Sequence, residues 1–186
     1  MKRKMKMKKM MMFAAAIAVA VVAQAASINW TVANNSWYMS DGTSRASKGT
    51  AVYLIDMAQL SSIESAIEDG ATSFKAGDAG IIAVGTTSNT KGYIAKSTAS
   101  SSALVAGQSY DFAYLVFDGD KYFVSGKQTA AAYDLTDPVY SEPSSIAFSG
   151  ANYKASASGW QATPEPTSAL LLVLGGALLA LRRKRA

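Results

Sequence analysis

Two short apolar segments, each joined to a basic cluster, close off the ends of this chain and leave only its middle to build a core. Lys2, Arg3, Lys4, Lys6, Lys8 and Lys9 precede an uncharged run from Met10 to Ala23. Ala23-Gln24-Ala25 then places small residues at the two positions a signal peptidase reads, so Ala26 is the expected new N-terminus. A charged start, a short apolar middle and an A-x-A end together predict a signal helix over residues 1–25. The apolar run falls short of the ~20 residues that a ~30 Å hydrocarbon core requires.

At the other end, Thr163-Pro164-Glu165-Pro166-Thr167 is a stiff break, because proline fixes φ and disfavours helix in the residue before it. Ser168 to Leu181 is almost purely apolar, and Arg182-Arg183-Lys184-Arg185 follows it. A transmembrane helix over 168–181 is expected, rising roughly 21 Å. The basic cluster 182–185 would stay on the cytoplasmic side and set its orientation. Pro164-Glu165-Pro166, a short Leu/Gly/Ala helix and an Arg-rich end, in that order, resemble the PEP-CTERM sorting signal. The resemblance covers Thr163–Ala186 alone, with residues 164–186 as the sorting tail. It implies an exosortase-like partner, a multi-span membrane protease-transpeptidase of Gram-negative bacteria that build extracellular polysaccharide. It further implies a transient inner-membrane intermediate, cleavage near the triplet, and delivery to the cell surface or the extracellular space. Extracellular polysaccharide is a further candidate partner.

The formal charge of +5 comes from those two ends. Between Ala26 and Thr163 there are 8 Lys/Arg against 12 Asp/Glu, a balance of −4, so this region offers nucleic-acid phosphates no basic patch. The chain has no cysteine, hence no disulfide, thiolate nucleophile or Cys-based metal site. It has no histidine either, which removes the commonest general base, the commonest zinc ligand and the Ser-His-Asp triad. No cofactor is expected.

Residues 26–155 read as one β-rich domain, followed by a linker over 156–163. Ile28–Val32 alternates, and Ala51–Ile55 is a buried-strand run. Ile81–Val84 and Tyr93–Lys96 are weaker strands, and Ala155–Thr163 reads as a last edge strand running into the linker. Ser109–Phe117 and Asp120–Val124 flank Asp118-Gly119, the residue pair preferred in two-residue hairpin turns. In the first of these strands Tyr110, Phe112, Tyr114 and Val116 share one face, and Ala113, Leu115 and Phe117 the other. Two apolar faces suit a central strand of a two-sheet sandwich. Leu60, Ile63 and Ile67 form one helical stripe within Met57–Glu68, with Asp56 or Ser61 as cap and Asp69-Gly70 as stop. The expected class is therefore mainly β, an antiparallel sandwich with one short helical insertion.

Three kinds of site are candidates. Asp118-Gly119-Asp120 has oxygen ligands and a glycine bend but lacks the D-x-[DN]-x-[DN]-G pattern of a calcium loop, and a hairpin turn accounts for it. Trp30, Trp37, Tyr38 and Trp160, with the tyrosines at 93, 110, 114, 122, 133, 140 and 153, are candidates for sugar stacking or for core. Trp37-Tyr38, in a polar loop, is the expected exposed pair and the candidate glycan contact. Glu64, Glu68, Asp69 and Asp111 are the acids from which a carboxylate pair would be drawn. The reading is an exported, non-catalytic structural or adhesive protein. A carbohydrate-binding module or a carboxylate-dependent glycan-active enzyme is the alternative. An aromatic-lined face would favour binding, and two acids converging 5–10 Å apart would favour the enzyme.

Overall fold

A computed structural model describes residues 25–33, 38–88, 92–134, 136 and 145–163. The two expected terminal helices, with Ala23, Trp37 and the tail from Pro164 to Arg185, lie outside these residues. Among the described residues, no helix is long and apolar enough to cross a membrane.

The fold is mainly β, with two sheets and one short helix. Strands β1 (Ala26–Val32), β4 (Ile94–Ser101) and β8 (Ser145–Phe148) make a small sheet with β1 in the middle. The larger sheet runs β3 (Ile81–Thr86), β2 (Ala51–Asp56), β5 (Ser109–Asp118), β6 (Lys121–Val124), β9 (Gln161–Ala162), and β7 (Gln128–Ala131) also pairs with β5. The expected all-antiparallel pairing needs one correction. β1 pairs antiparallel with β4 but parallel with β8, from Asn29↔Ser145 to Val32↔Phe148. Two strands so far apart in the chain have no hairpin to dictate their direction.

Alternation along β1 explains why it can hold that place. Ile28, Trp30 and Val32 point into a core shared with Val52 and Leu54 of β2, Phe112, Tyr114 and Val116 of β5, and Phe148 of β8. Ser27 and Asn29 occupy the opposite face and are buried, so each needs partners. Ser27 Oγ bonds Ser100 Oγ at 2.7 Å, and Asn29 Oδ1 accepts from Thr98 Oγ1 at 2.7 Å and from the Tyr133 hydroxyl at 3.3 Å.

The two apolar faces of β5 are present as expected, with a different cover on the second. Tyr53, Ile55, Ala113 and Leu115 pack against helix α1 (Leu60–Glu68) through Ile63 and Ile67. The larger sheet is thus covered by the small sheet on one side and by the helix on the other. Asp56 is the start signal: its carboxylate accepts from Ala58 N at 3.0 Å, and one 3-10 turn, Met57–Gln59, precedes α1. Gly70, at φ 97°, follows the helix in the left-handed region where glycine carries no steric penalty.

The β5–β6 hairpin forms one residue later than its sequence suggests. Asp118 pairs with Lys121, so the loop is Gly119-Asp120, with Gly119 at φ 59°. The tight turn needs a positive φ at its first loop position, and glycine supplies it. Residues 156–163, expected as a linker that takes up the end of a last edge strand over Ala155–Thr163, hold a short edge strand of the larger sheet, β9: Lys121 pairs with Ala162 and Tyr122 with Gln161. The described fold runs to Thr163.

Candidate functional site

Where the described chain ends, three segments gather round the β5–β6 turn. Asp118, released from the loop by the shifted register, accepts from Ser40 N through Oδ2 at 2.7 Å. Asp120 offers its carbonyl to Thr163, whose amide donates at 2.7 Å and whose hydroxyl donates at 2.8 Å. Trp160 Nε1 donates to the Tyr38 carbonyl at 3.2 Å, and its ring packs on Phe123 with centroids 5.9 Å apart. The Tyr122 hydroxyl donates to Gln161 Oε1 at 2.5 Å. Burial, then the nearby Glu64 and Glu68 charges, push the Tyr122 hydroxyl above the usual tyrosine range, so the donor keeps its proton.

The loop behind this end is held by its own acid. Asp41 Oδ1 accepts from the amides of Thr43 and Ser44 at 2.8 and 2.7 Å, and Oδ2 accepts from Ser44 Oγ at 2.5 Å. The Ser44 hydroxyl first, then the two amides, bring the Asp41 carboxyl down from 3.8 to about 2. A carboxyl depressed in the fold stabilises the loop above its unfolded value and loses that effect as pH falls through the folded one. The amides of Thr43 and Ser44 should therefore keep their protection at pH 4 and lose it between pH 3.8 and about 2. Hydrogen exchange followed by NMR tests this, and loss of protection already at pH 5 would contradict it.

An open groove lies between the start of the helical segment and the β5–β7 pair, lined by Asp56, Met57, Ala58, Ser109, Tyr110, Asp111 and Lys127. Both of its acids are engaged locally. Asp56 caps the helical turn. Asp111 receives Lys127 Nζ at 2.6 Å and the Thr129 hydroxyl, and those two hydrogen bonds hold its carboxyl below the ordinary value.

The structure separates the other candidates. Ala25 is exposed and Ala26 is the buried first residue of β1, so the expected cleavage point falls at the edge of the fold. Trp30, Tyr114, Tyr122 and Tyr133 are buried; Tyr93, Tyr110 and Tyr153 are half-buried, and Tyr140 lies outside the described residues. Tyr38 is 37% exposed, with the Arg45 guanidinium 5.6 Å from its ring centroid, a cation–π distance. Glu64 is half-buried on α1, Glu68 on the helix and Asp69 at its C-cap are exposed, and among the described residues no three His, Cys, Asp or Glu side chains are grouped to hold a metal ion. Sequence reading did not anticipate the roles of Gln161 and Thr163. The signal for them was their place in the strand-like run Ala155–Thr163, which suggests a strand but not its partner. No family model, curated protein or solved structure matches this chain.

Proposed function

We propose that this protein is an exported module, a β-sandwich with a helical insertion, carried to the cell surface or extracellular matrix by an exosortase-like sorting system. Its role there is structural or adhesive rather than catalytic. The observation that carries this reading is the order of parts at the C-terminus. Thr163, tied to the β5–β6 turn, is followed at once by Pro164-Glu165-Pro166, then an apolar run and Arg182, Arg183, Lys184 and Arg185. A folded cargo, an extended recognition triplet, a membrane stop and an orienting charge cluster stand in the sequence that such processing requires. Neither alternative has a specific observation in its favour, since Asp111 is neutralised by Lys127 and one face of Tyr38 is taken by Arg45.

A plain anchor depends on apolar length and terminal charge, whereas a processed tail depends on the triplet. Replacing Pro164, Glu165 and Pro166 by alanine should therefore block removal of the C-terminal segment and hold the protein in the inner membrane. Mass and membrane fractionation of both forms, in a host with the processing enzyme, give the answer. A wild type that keeps its full C-terminus and fractionates like the triplet variant would leave only the anchor.

A further inference from the structure

We infer that the outer edge of β4 is a docking strand for a second copy of this protein, which pairs with it antiparallel through Ser97–Ser101. This concerns what the delivered module touches rather than how it is delivered, so it stands apart from the sorting reading.

A strand at the end of a sheet leaves a row of backbone donors and acceptors without strand partners. In the small sheet that strand is β4, eight residues long and, among the described residues, paired with β1 on one side only. The other strand ends are less open. β8 receives the Gln128 amide of β7 on its Ala147 carbonyl at 2.8 Å, and β9 has two residues. β3, last in the larger sheet, is bulged where Leu54 and Ile55 face Ala83 and Ile81, which leaves only Ala83–Thr86 regular.

β4 is bulged as well, but near its start. Trp30 and Val32 face Ser97 and Ile94, so the extra residue falls at Ala95-Lys96. A lysine and a bulge are two devices that protect an edge from pairing. Here both sit at one end and leave Ser97–Ser101 regular and uncharged. Within that stretch Ser97, Thr98 and Ser100 are exposed. The Thr98 and Ser100 hydroxyls bond Asn29 and Ser27 of β1, each at 2.7 Å, which holds the strand extended before anything docks on it.

The charge pattern selects the occupant. A two-fold axis pairs an edge strand with its own copy, antiparallel. Centred on Thr98 or Ala99, it sets Lys96 opposite Ser100 or Ser102 of the second copy, so the two lysines do not face each other. The same registers place Thr98 opposite its own counterpart or opposite Ser100, and such hydroxyl pairs bond well across strands. Five residues from each copy fall far short of the roughly 20–30 a side in a stable complex. The contact is therefore weak for one pair and counts where many copies share a surface.

Single cysteines test this in the full-length protein, which has none of its own. Under mild oxidant in concentrated detergent solution, Thr98→Cys should cross-link alone or when mixed with Ser100→Cys, according to whether the axis falls on Thr98 or Ala99. A disulfide needs its two Cα atoms within ~7 Å, so this dimer should form at least about tenfold faster than that of Ser61→Cys, an exposed position on α1. Adding Ser97→Lys, which extends the guard along β4, should slow the cross-link about tenfold and leave the thermal melt unchanged. A rate no faster than that of Ser61→Cys would overturn the inference. So would a rate that Ser97→Lys does not change, because dimers held by another surface or by the C-terminal segment ignore that edge. Neither measurement needs a processing enzyme, and failure here leaves the sorting reading untouched.

Discussion

Trp30→Ala should cost about 3–5 kcal/mol of folding stability, while Trp30→Phe should cost under about 1.5 kcal/mol. Trp30 is 1% exposed and lies in the core between the two sheets. Its ring reaches across from β1 to β3, so closely that a Cβ on Gly85 would sit 3.0 Å from two of its atoms. Alanine would empty that space, and a strand packed on both edges cannot collapse to refill it. The indole nitrogen tells the other half. Trp30 Nε1 is a buried donor with no hydrogen-bond partner, a defect that typically costs about 1–3 kcal/mol. Phenylalanine removes the unmet donor along with part of the ring, so the two effects oppose each other. Guanidinium melts of the three proteins, followed by far-UV circular dichroism, give the comparison. Equal losses for alanine and phenylalanine would show that the nitrogen is satisfied in solution, and a small loss for alanine would show that the core is not built as described.

Gly80→Ala should cost about 3 kcal/mol, from backbone strain and overpacking together. Gly80 has φ 79°, and a Cβ there would fall 2.7 Å from Gln59 Cβ and 2.9 Å from Ile63 Cδ1. Neither neighbour has room to yield, because Ile63 is buried under the sheet and Gln59 belongs to the turn that opens the helix. The Gly80 carbonyl also accepts from Asp56 N at 2.9 Å, so the loop must press against the helix start. Gly77 is the control: its φ of 92° is as unfavourable, but nothing lies within 4 Å of its Cβ position. Gly77→Ala should then lose only the backbone part, about 1–2 kcal/mol. Thermal melts that place the two variants together would show that contact with the helix adds nothing.

Much of the larger sheet was legible because its cues are local. Alternation in Ser109–Phe117, a glycine at the turn and the Leu60, Ile63, Ile67 stripe each act within a few residues, and each led to an element that exists. The turn register slipped by one because Asp118-Gly119 and Gly119-Asp120 both satisfy the rule of a flexible residue in the loop. What decides between them is the partner of Asp118, namely Ser40 N, which lies 78 residues away. β7 and β8 were invisible for a related reason. QTAA and SIAF are four residues each, too short for a period, and they become strands only because β5 and β1 present open edges to them. At the candidate site the tail motif was readable as composition and order. The hydrogen bonding before it was not, because Gln161 and Thr163 take their roles from Tyr122 and Asp120 on a neighbouring strand.

The position of β1 carries a consequence for how this chain reaches its folded form. Its antiparallel partner meets it from 73 residues away at Ser100, and its parallel partner begins only at Ser145. A sheet of such high contact order is slow to close, because loop entropy must be overcome before any pairing rewards it. The β5–β6 hairpin and the helix beside it need no such wait. A chain threaded across a membrane one residue at a time would thus assemble β2, β3, β5 and β6 before β8 is available, leaving one edge of β1 open. Ile28, Trp30 and Val32 share their core with Ile146 and Phe148, so until those two arrive their cover is incomplete and a nearly finished molecule still shows an open strand edge. Delivery speed, and whatever shields that strand meanwhile, would decide how much of the protein ends folded rather than aggregated.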